Sequence, residues 1–342
     1  MIALIYLLDT YRIPQLENKK ITVYSTDCYH KCMKEEWEVF AANNIEWVQC
    51  QCKTEDDLIE KLKDATSVCN MYAKFTDKVF ENLPKLKCIV RCGVGVDNID
   101  VESATRHGVQ ICNVPDYGTT EVADHALALM LTLVRKVSVA NHAVQEDKVW
   151  EYDHLVPIKR LSEMVVGIVG FGRIGQAFAK RVTALGCKIL VCVRHEPTVE
   201  EKEKYSYVSF VSLDEVLKNS DVISLNCSLN DDNKNLMDAE AFSKMKHGAY
   251  LINVSRGGLI DENALADALK EHKIAGAGLD VLIKEPMTDD CSLKRCPNLI
   301  ITPHMAWYSE NAYSDKKRLC AEEVVRGALG QKVLNPVNIL QE

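Results

Sequence analysis

Residues 164–169, Met-Val-Val-Gly-Ile-Val, lead without a polar side chain into Gly170-Phe171-Gly172-Arg173-Ile174-Gly175, and a helical pattern opens inside that turn. Ile174, Ala177, Phe178, Val182 and Leu185 then share one helical face, Gly186 supplies a stop, and a second apolar run fills 188–193. An apolar strand without alternation is one covered on both faces, as in a parallel sheet. In such a strand-to-helix turn the first glycine permits the bend, the second lets backbone approach a ligand, and the third lets helix and strand pack closely. Unpaired N–H groups and partial positive charge at the helix N-terminus complete a seat for phosphate. The motif predicts a dinucleotide pyrophosphate site lined by Gly170, Gly172, Arg173, Ile174 and Gly175.

Similar alternation extends along the chain. Short apolar runs at 21–24, 45–48, 67–69, 88–90 and 109–112 are separated by amphipathic stretches, and a second series runs from 164 to 302. Strands alternating with helices predict an α/β architecture of parallel sheets. A chain of 342 residues exceeds what one core ordinarily fills, so two domains are expected. Between the two series lies a helical pattern at about 120–141, with Val122, Ala126, Leu129, Leu133 and Val137 in register, read as one connecting helix. Another helical stretch at 309–330, followed by Asn335 and Pro336, is expected to fold back onto the first half. The predicted arrangement is a discontinuous domain, 1–115 with 309–342, and a cofactor domain, 116–308, each a doubly wound parallel sheet.

A net charge of −8 with no block of basic residues argues against a nucleic-acid partner. No run approaches the roughly 18 apolar residues of a membrane span, so no membrane role is expected. The apolar opening at 1–8 has no basic flank and soon meets Asp9 and Arg12, so it reads as a surface extension rather than a leader, and a cytoplasmic protein is expected. The 14 cysteines fall largely inside apolar runs, as Cys69, Cys88, Cys112 and Cys192 do, which suits reduced thiols. Cys28, His30 and Cys32, like Cys50 and Cys52, lack a second ligand pair at zinc spacing, so no metal is expected.

Ligands of open α/β sheets bind outside the carboxyl ends of the strands. Three apolar runs end on reactive side chains there: Arg256 after 250–255, Asp280 and Glu285 after 275–279, and His304 after 299–302. An arginine clamps a carboxylate or steadies charge on an oxygen, and a histidine oriented by a carboxylate donates a proton. The set suits hydride transfer to a 2-keto acid, with His304 as acid, Glu285 as its partner and Arg256 as substrate clamp.

In these residues the chain resembles the D-isomer-specific 2-hydroxyacid dehydrogenase family, from about residue 20 to 338. The resemblance rests on the glycine turn, Asn253-Val-Ser-Arg-Gly-Gly258, Gly278-Leu-Asp-Val281, Glu285-Pro286 and Thr302-Pro-His304. It implies a flavodoxin-like substrate domain with a Rossmann cofactor domain, and a catalytic trio of Arg256, Glu285 and His304. It also implies that Asp280 contacts the nicotinamide ring and that the backbone N–H groups around Val94 and Gly95 hold the substrate carboxylate. Thr119 and Thr120 match the region contacting the cofactor phosphates; either hydroxyl fits, and Thr120 is the expected contact. Tyr72 and Trp307 are expected beside the substrate. The stretches 116–125 and 304–310 are similar to a branch that includes the C-terminal-binding-protein corepressors, so a cofactor-sensing scaffold is the alternative reading. Formate oxidation is disfavoured by Glu285, where that chemistry uses glutamine. Relatives of this kind pair through a helix after the substrate domain, so the apolar spacing from Val122 to Val137 implies a homodimer.

An acid about 20 residues beyond the glycine turn ordinarily binds the adenosine ribose. Val193 occupies that place here, followed by Arg194 and His195, which would suit the extra phosphate of NADP(H). NADP(H) is expected over NAD(H), with Glu196 reaching the ribose as the competing possibility.

Overall fold

The computed structural model describes residues 21–27 and 33–340. These fall into two compact units: one ends at Pro115 and resumes at Ser314, and the other runs from Asp116 to Tyr313. The opening at 1–8 and the Cys28, His30, Cys32 group lie outside the described residues.

In the first unit the strands are β1 (Thr22–Ser25), β2 (Glu46–Gln49), β3 (Ser67–Asn70), β4 (Cys88–Arg91) and β5 (Gln110–Cys112). They pair in the order β2-β1-β3-β4-β5, every pair parallel, which is the flavodoxin-like order. Helices α1 (Lys34–Ala42), α2 (Glu55–Lys61), α3 (Asp77–Asn82) and α4 (Val101–Arg106) make the crossovers. The register sets Val68 beside Ile89 and Ile89 beside Ile111, and these pack with Leu58, Leu62, Val79 and Phe80 of the helices.

The second unit opens with α5 (Thr119–Val134) and α6 (Val137–Gln145). There follow β6 (Val165–Val169), α7 (Arg173–Ala184), β7 (Lys188–Cys192), α8 (Val199–Lys204), β8 (Ser209–Phe210), α9 (Leu213–Asn219) and β9 (Val222–Leu225). The series closes with α10 (Ala239–Lys244), β10 (Tyr250–Asn253), α11 (Glu262–Lys270), β11 (Gly276–Leu279) and β12 (Leu299–Ile301). The strands form one parallel sheet in the order β12-β11-β10-β9-β6-β7-β8. From the neighbours β6 and β9 the chain winds outward in opposite directions, so their carboxyl ends flank a topological switch point. Both faces of this sheet are covered. Val222 packs with Ile168, Phe178 and Leu129 on one side, while the next residue, Ile223, packs with Leu251, Phe242 and Leu265 on the other. This two-sided burial is why these strands read as unbroken apolar runs.

The single helix expected at 120–141 is in fact two. Lys136 adopts a left-handed φ of 54°, ending α5 and starting α6 in a new direction. Val122, Ala126, Leu129 and Leu133 are all buried against the sheet of their own unit, whereas Val137 is half exposed. The spacing thus reports burial within the unit and cannot by itself imply a partner. The stretch expected at 309–330 is α12 (Glu310–Ala328). Among the described residues no helix is long and apolar enough to cross a membrane.

The segment after α12 closes the outer edge of β5. Val337 N donates to Ile111 O at 2.8 Å, and the Asn338 side chain accepts from Ile111 N at 2.7 Å while donating to Val109 O at 2.9 Å. Asn338 is buried, so these strand groups have no water to replace it. Asn338→Ala is expected to destabilise the chain by about 1–3 kcal/mol for each buried group left unpaired. Urea unfolding reads this; a change below about 0.5 kcal/mol, the usual scatter of neutral surface changes, would show that the edge is satisfied otherwise.

Candidate active site

The turn after β6 is built from three glycines with three different requirements. Gly170 has a φ of +92°, and a Cβ there would lie 2.7 Å from Cys227 N at the end of β9. A Cβ on Gly175 would stand 2.3 Å from Gly170 O. The fold itself therefore demands both. A Cβ on Gly172 would meet nothing within 4 Å, so the protein leaves open space at the N-terminus of α7, where backbone N–H groups are unpaired. Arg173 pairs through Nε with Asp116 at 2.9 Å, and Ile174 packs partly into the core. Thr119 Oγ1 is buried without a hydrogen-bond partner among the described residues, whereas Thr120 is exposed and its carbonyl accepts from Arg181. Of the two threonines, Thr119 therefore has the unsatisfied hydroxyl.

At the far end of β10, buried Asn253 shapes the next turn: its Oδ1 accepts from Ser255 N at 3.0 Å and its Nδ2 donates to Arg256 O at 2.8 Å. Gly257 follows, and a Cβ there would fall 2.0 Å from the carbonyl carbon of Leu282. The arginine turn is thereby pressed against the backbone that carries Glu285. Glu285 Oε1 accepts from Leu282 N at 2.9 Å, and Glu285 Oε2 lies 2.7 Å from His304 Nδ1. Burial pushes the Glu285 carboxyl up, but the hydrogen bonds from His304 and Leu282 N and the charges of His304 and Arg256 outweigh it, holding the group below its ordinary range. Both His304 and Arg256 thus bear on the Glu285 carboxyl.

Asp280, at the end of β11 and almost wholly buried, fixes the segment that carries the histidine. Its Oδ1 accepts from Thr302 Oγ1 at 2.6 Å and Met305 N at 3.0 Å, and its Oδ2 accepts from Ala306 N at 2.8 Å. His304 itself has a left-handed φ of 53°, and its N–H donates to Asp280 O at 2.9 Å. These contacts make Asp280 a positioning residue for His304. His125 Nε2, 2.9 Å from Thr302 Oγ1, adds to the same network. Trp307 donates through Nε1 to His304 O at 3.1 Å and stands edge-on to Tyr117.

Beyond β7, Val193 occupies the ribose position without an acid. Arg194 is exposed, with no ion pair among the described residues. His195 Nε2 lies 3.2 Å from a Glu201 oxygen, and Glu196 pairs with Lys202 at 3.0 Å.

In the first unit, the loop after β4 has its carbonyls tied inward. Val114 N donates to Gly93 O at 3.0 Å and Asn113 Nδ2 to Val94 O at 2.7 Å. A planar trans peptide directs its N–H opposite to its C=O, so the N–H groups of Val94 and Gly95 point away from those tethers. Neither donates to another described residue. Tyr72, largely exposed, is held by a residue that sequence reasoning missed. Buried Asp27, at the end of β1, accepts from the N–H groups of Met71, Tyr72 and Ala73 at 2.9, 2.7 and 3.1 Å. Its place just past an apolar run is the sequence signal available for it.

Residues 127–306 match the family profile described as D-isomer specific 2-hydroxyacid dehydrogenase, NAD binding domain. The chain belongs to this family. It is 37% identical over 286 residues to a D-3-phosphoglycerate dehydrogenase of Archaeoglobus fulgidus, covering 83% of this chain and 53% of that protein. The chain thus spans about half the length of that relative. It is 35% identical over 301 residues to a hydroxypyruvate reductase of Blautia hydrogenotrophica, covering 84% of this chain and 88% of that protein. Among solved structures, an acyclic imino acid reductase in complex with NADPH and D-Arg is similar, with a TM-score of 0.83, 26% identity, and coverage of 93% of this chain and 100% of that one.

The glycine turn fits the dinucleotide that defines the family's NAD-binding domain, because the space beside Gly172 is open where backbone must meet a pyrophosphate. Gly172 has an extended backbone that alanine also adopts. Gly172→Ala is therefore expected to leave the melting temperature unchanged and to weaken dinucleotide binding by roughly tenfold or more, about 1.4 kcal/mol. Calorimetric titration and thermal melts separate the two effects, and unchanged affinity would remove the site from this turn.

Proposed function

We propose that this chain is an NAD(P)-dependent oxidoreductase that interconverts a small 2-keto acid and its D-2-hydroxy acid. The reading is carried by the hydrogen bond between His304 Nδ1 and Glu285, with Arg256 close enough to lower the same carboxyl. A bound nicotinamide supplies or takes the hydride. The keto oxygen of the substrate needs a proton as it is reduced, and His304, whose Nδ1 is occupied by Glu285, gives it from Nε2. Arg256 holds the substrate and steadies developing negative charge. The outward N–H groups of Val94 and Gly95 suit a carboxylate, while Tyr72 and Trp307 shape the choice of side chain. Twelve free cysteines among the described residues favour the cytoplasmic setting. Exposed Trp150, Tyr152 and Val156 beyond α6 favour a homodimer, which light scattering reads directly.

His304→Ala is expected to lower kcat for keto-acid reduction by about 10²–10⁴-fold, the usual worth of a general acid, while dinucleotide affinity survives. Near-normal reduction by that variant would remove His304 as the donor. Glu285→Gln removes the negative charge beside the ring and is expected to lower kcat for keto-acid reduction while dinucleotide affinity survives. On the acid side the pairing is lost as pH falls through the depressed pKa of Glu285. A panel of 2-keto acids, including glyoxylate, hydroxypyruvate and branched or aromatic acids, identifies the substrate.

The cofactor we propose is NADP(H) in preference to NAD(H). Arg194 supports this, being exposed beside a position with no acid. His195 supports it less, because Glu201 already holds its Nε2. NADPH is expected to give a higher kcat/KM than NADH by roughly tenfold to a hundredfold, the worth of one charged contact, and Val193→Asp should reverse the preference. A preference for NADH in the unaltered enzyme would reject this assignment.

A further inference from the structure

The first unit contains a group of side chains that the chemistry above does not use. Cys69 lies in β3, Cys92 follows β4, and Cys320 lies in α12. Their sulfurs form a closed triangle: 2.9 Å from Cys69 to Cys92, 2.8 Å from Cys92 to Cys320 and 3.4 Å from Cys69 to Cys320. All three thiols point to one place although Cys92 and Cys320 are 228 residues apart in sequence. Beside them is a small cavity also lined by Glu36 and Lys316. Glu36 is buried, and its Oε2 has no hydrogen-bond partner among the described residues. An orphaned carboxylate oxygen is costly in such a place unless something is there to receive it.

We propose that Cys69, Cys92 and Cys320 form a metal site for a thiophilic divalent cation of the zinc type, with Glu36 Oε2 as the candidate oxygen donor. Thiolate sulfurs around zinc lie about 2.3 Å from the ion, which sets them roughly 3.8 Å apart in a tetrahedron. Side-chain rotation that widens the triangle by less than about 1 Å therefore admits the ion. Ligation needs the sulfurs as thiolates and the carboxyl ionised, so protons leave as the ion binds. Buried Lys316 brings positive charge to the same cavity to offset the thiolates. Two other arrangements use the observations less fully. Buried cysteines often serve as small apolar fillers, but that leaves the Glu36 oxygen unexplained. A disulfide would join only two of the three sulfurs and needs an oxidant. An ion would instead tie β3, the turn after β4 and α12 together at one point.

The test uses the full chain, reduced and stripped of metal, with Cd²⁺ and then Zn²⁺ as probes. The expected result is one tightly bound ion per chain, a thiolate-to-cadmium absorption band in the ultraviolet, release of protons on binding, and a rise of several degrees in melting temperature. Cys320→Ala and Cys69→Ala should each weaken binding by roughly a hundredfold or more, since loss of even an outer-sphere partner costs ten- to a hundredfold. Cys88→Ala, outside the triangle, should bind as the unaltered chain does. X-ray absorption at the zinc edge of the unaltered protein counts the sulfur neighbours without any variant, and three are expected. Failure to bind, two sulfurs or fewer, equal binding by Cys320→Ala, or a disulfide within the triangle in the reduced preparation would each overturn the assignment.

Discussion

Every strand of the seven-stranded sheet runs in the same direction, so all its carboxyl ends emerge along one edge. Parallel pairing leaves the chain little choice about where chemistry is placed. The glycine turn after β6, Arg256 after β10, Asp280 after β11 and His304 after β12 are brought together by strand direction, before any side-chain contact is considered. The strands cost no polar face to the core because helices cover both sides, which is possible only with crossovers long enough to be helices. The winding that buries Val222 and Ile223 in opposite cores is the same winding that opens the switch point between β6 and β9.

Within that edge, two buried or half-buried carboxylates have different tasks because their partners differ. Asp280 spends its oxygens on a hydroxyl and two backbone N–H groups, with His125 Nε2 farther off at 3.7 Å, so it acts as a scaffold. Those bonds over-determine the turn from Thr302 to Ala306 and so hold His304 in a left-handed conformation that an unconstrained histidine seldom adopts. Glu285 spends one oxygen on backbone and the other on the imidazole. Its burial alone would favour the neutral acid, yet the ionised form wins because a histidine and an arginine both face it. Scaffold and partner are thus separated by what they bind, although they lie five residues apart.

Much of the fold was legible because burial on both faces leaves a local signature. The run at 164–169 became β6, and the apolar face from Ile174 to Val182 became the buried side of α7. The break at Lys136 was not legible, because the helical period of Leu129 and Leu133 continues to Val137 while the supporting sheet does not. Periodicity records which residues are apolar, and only tertiary contact decides which of them are covered. The triangle of Cys69, Cys92 and Cys320 was invisible for a related reason. Zinc spacing in sequence finds ligands from one hairpin or one helix, whereas these come from a strand, a turn and a distant helix.

The proposed site residues divide along the same line. Arg256, Glu285 and His304 are legible one by one, because a charged side chain after an apolar strand states its own chemistry. The loop at Gly93 to Gly95 is proposed for its backbone alone, and no side chain there announces it. Its character follows from two remote donors: Val114 N and Asn113 Nδ2 take the carbonyls of Gly93 and Val94, and peptide planarity then turns the next two N–H groups outward. A side-chain donor such as Arg256 can swing, and it keeps its charge whatever it meets. A backbone donor fixed in this way is neutral and already oriented, so it discriminates by geometry where a guanidinium discriminates by charge.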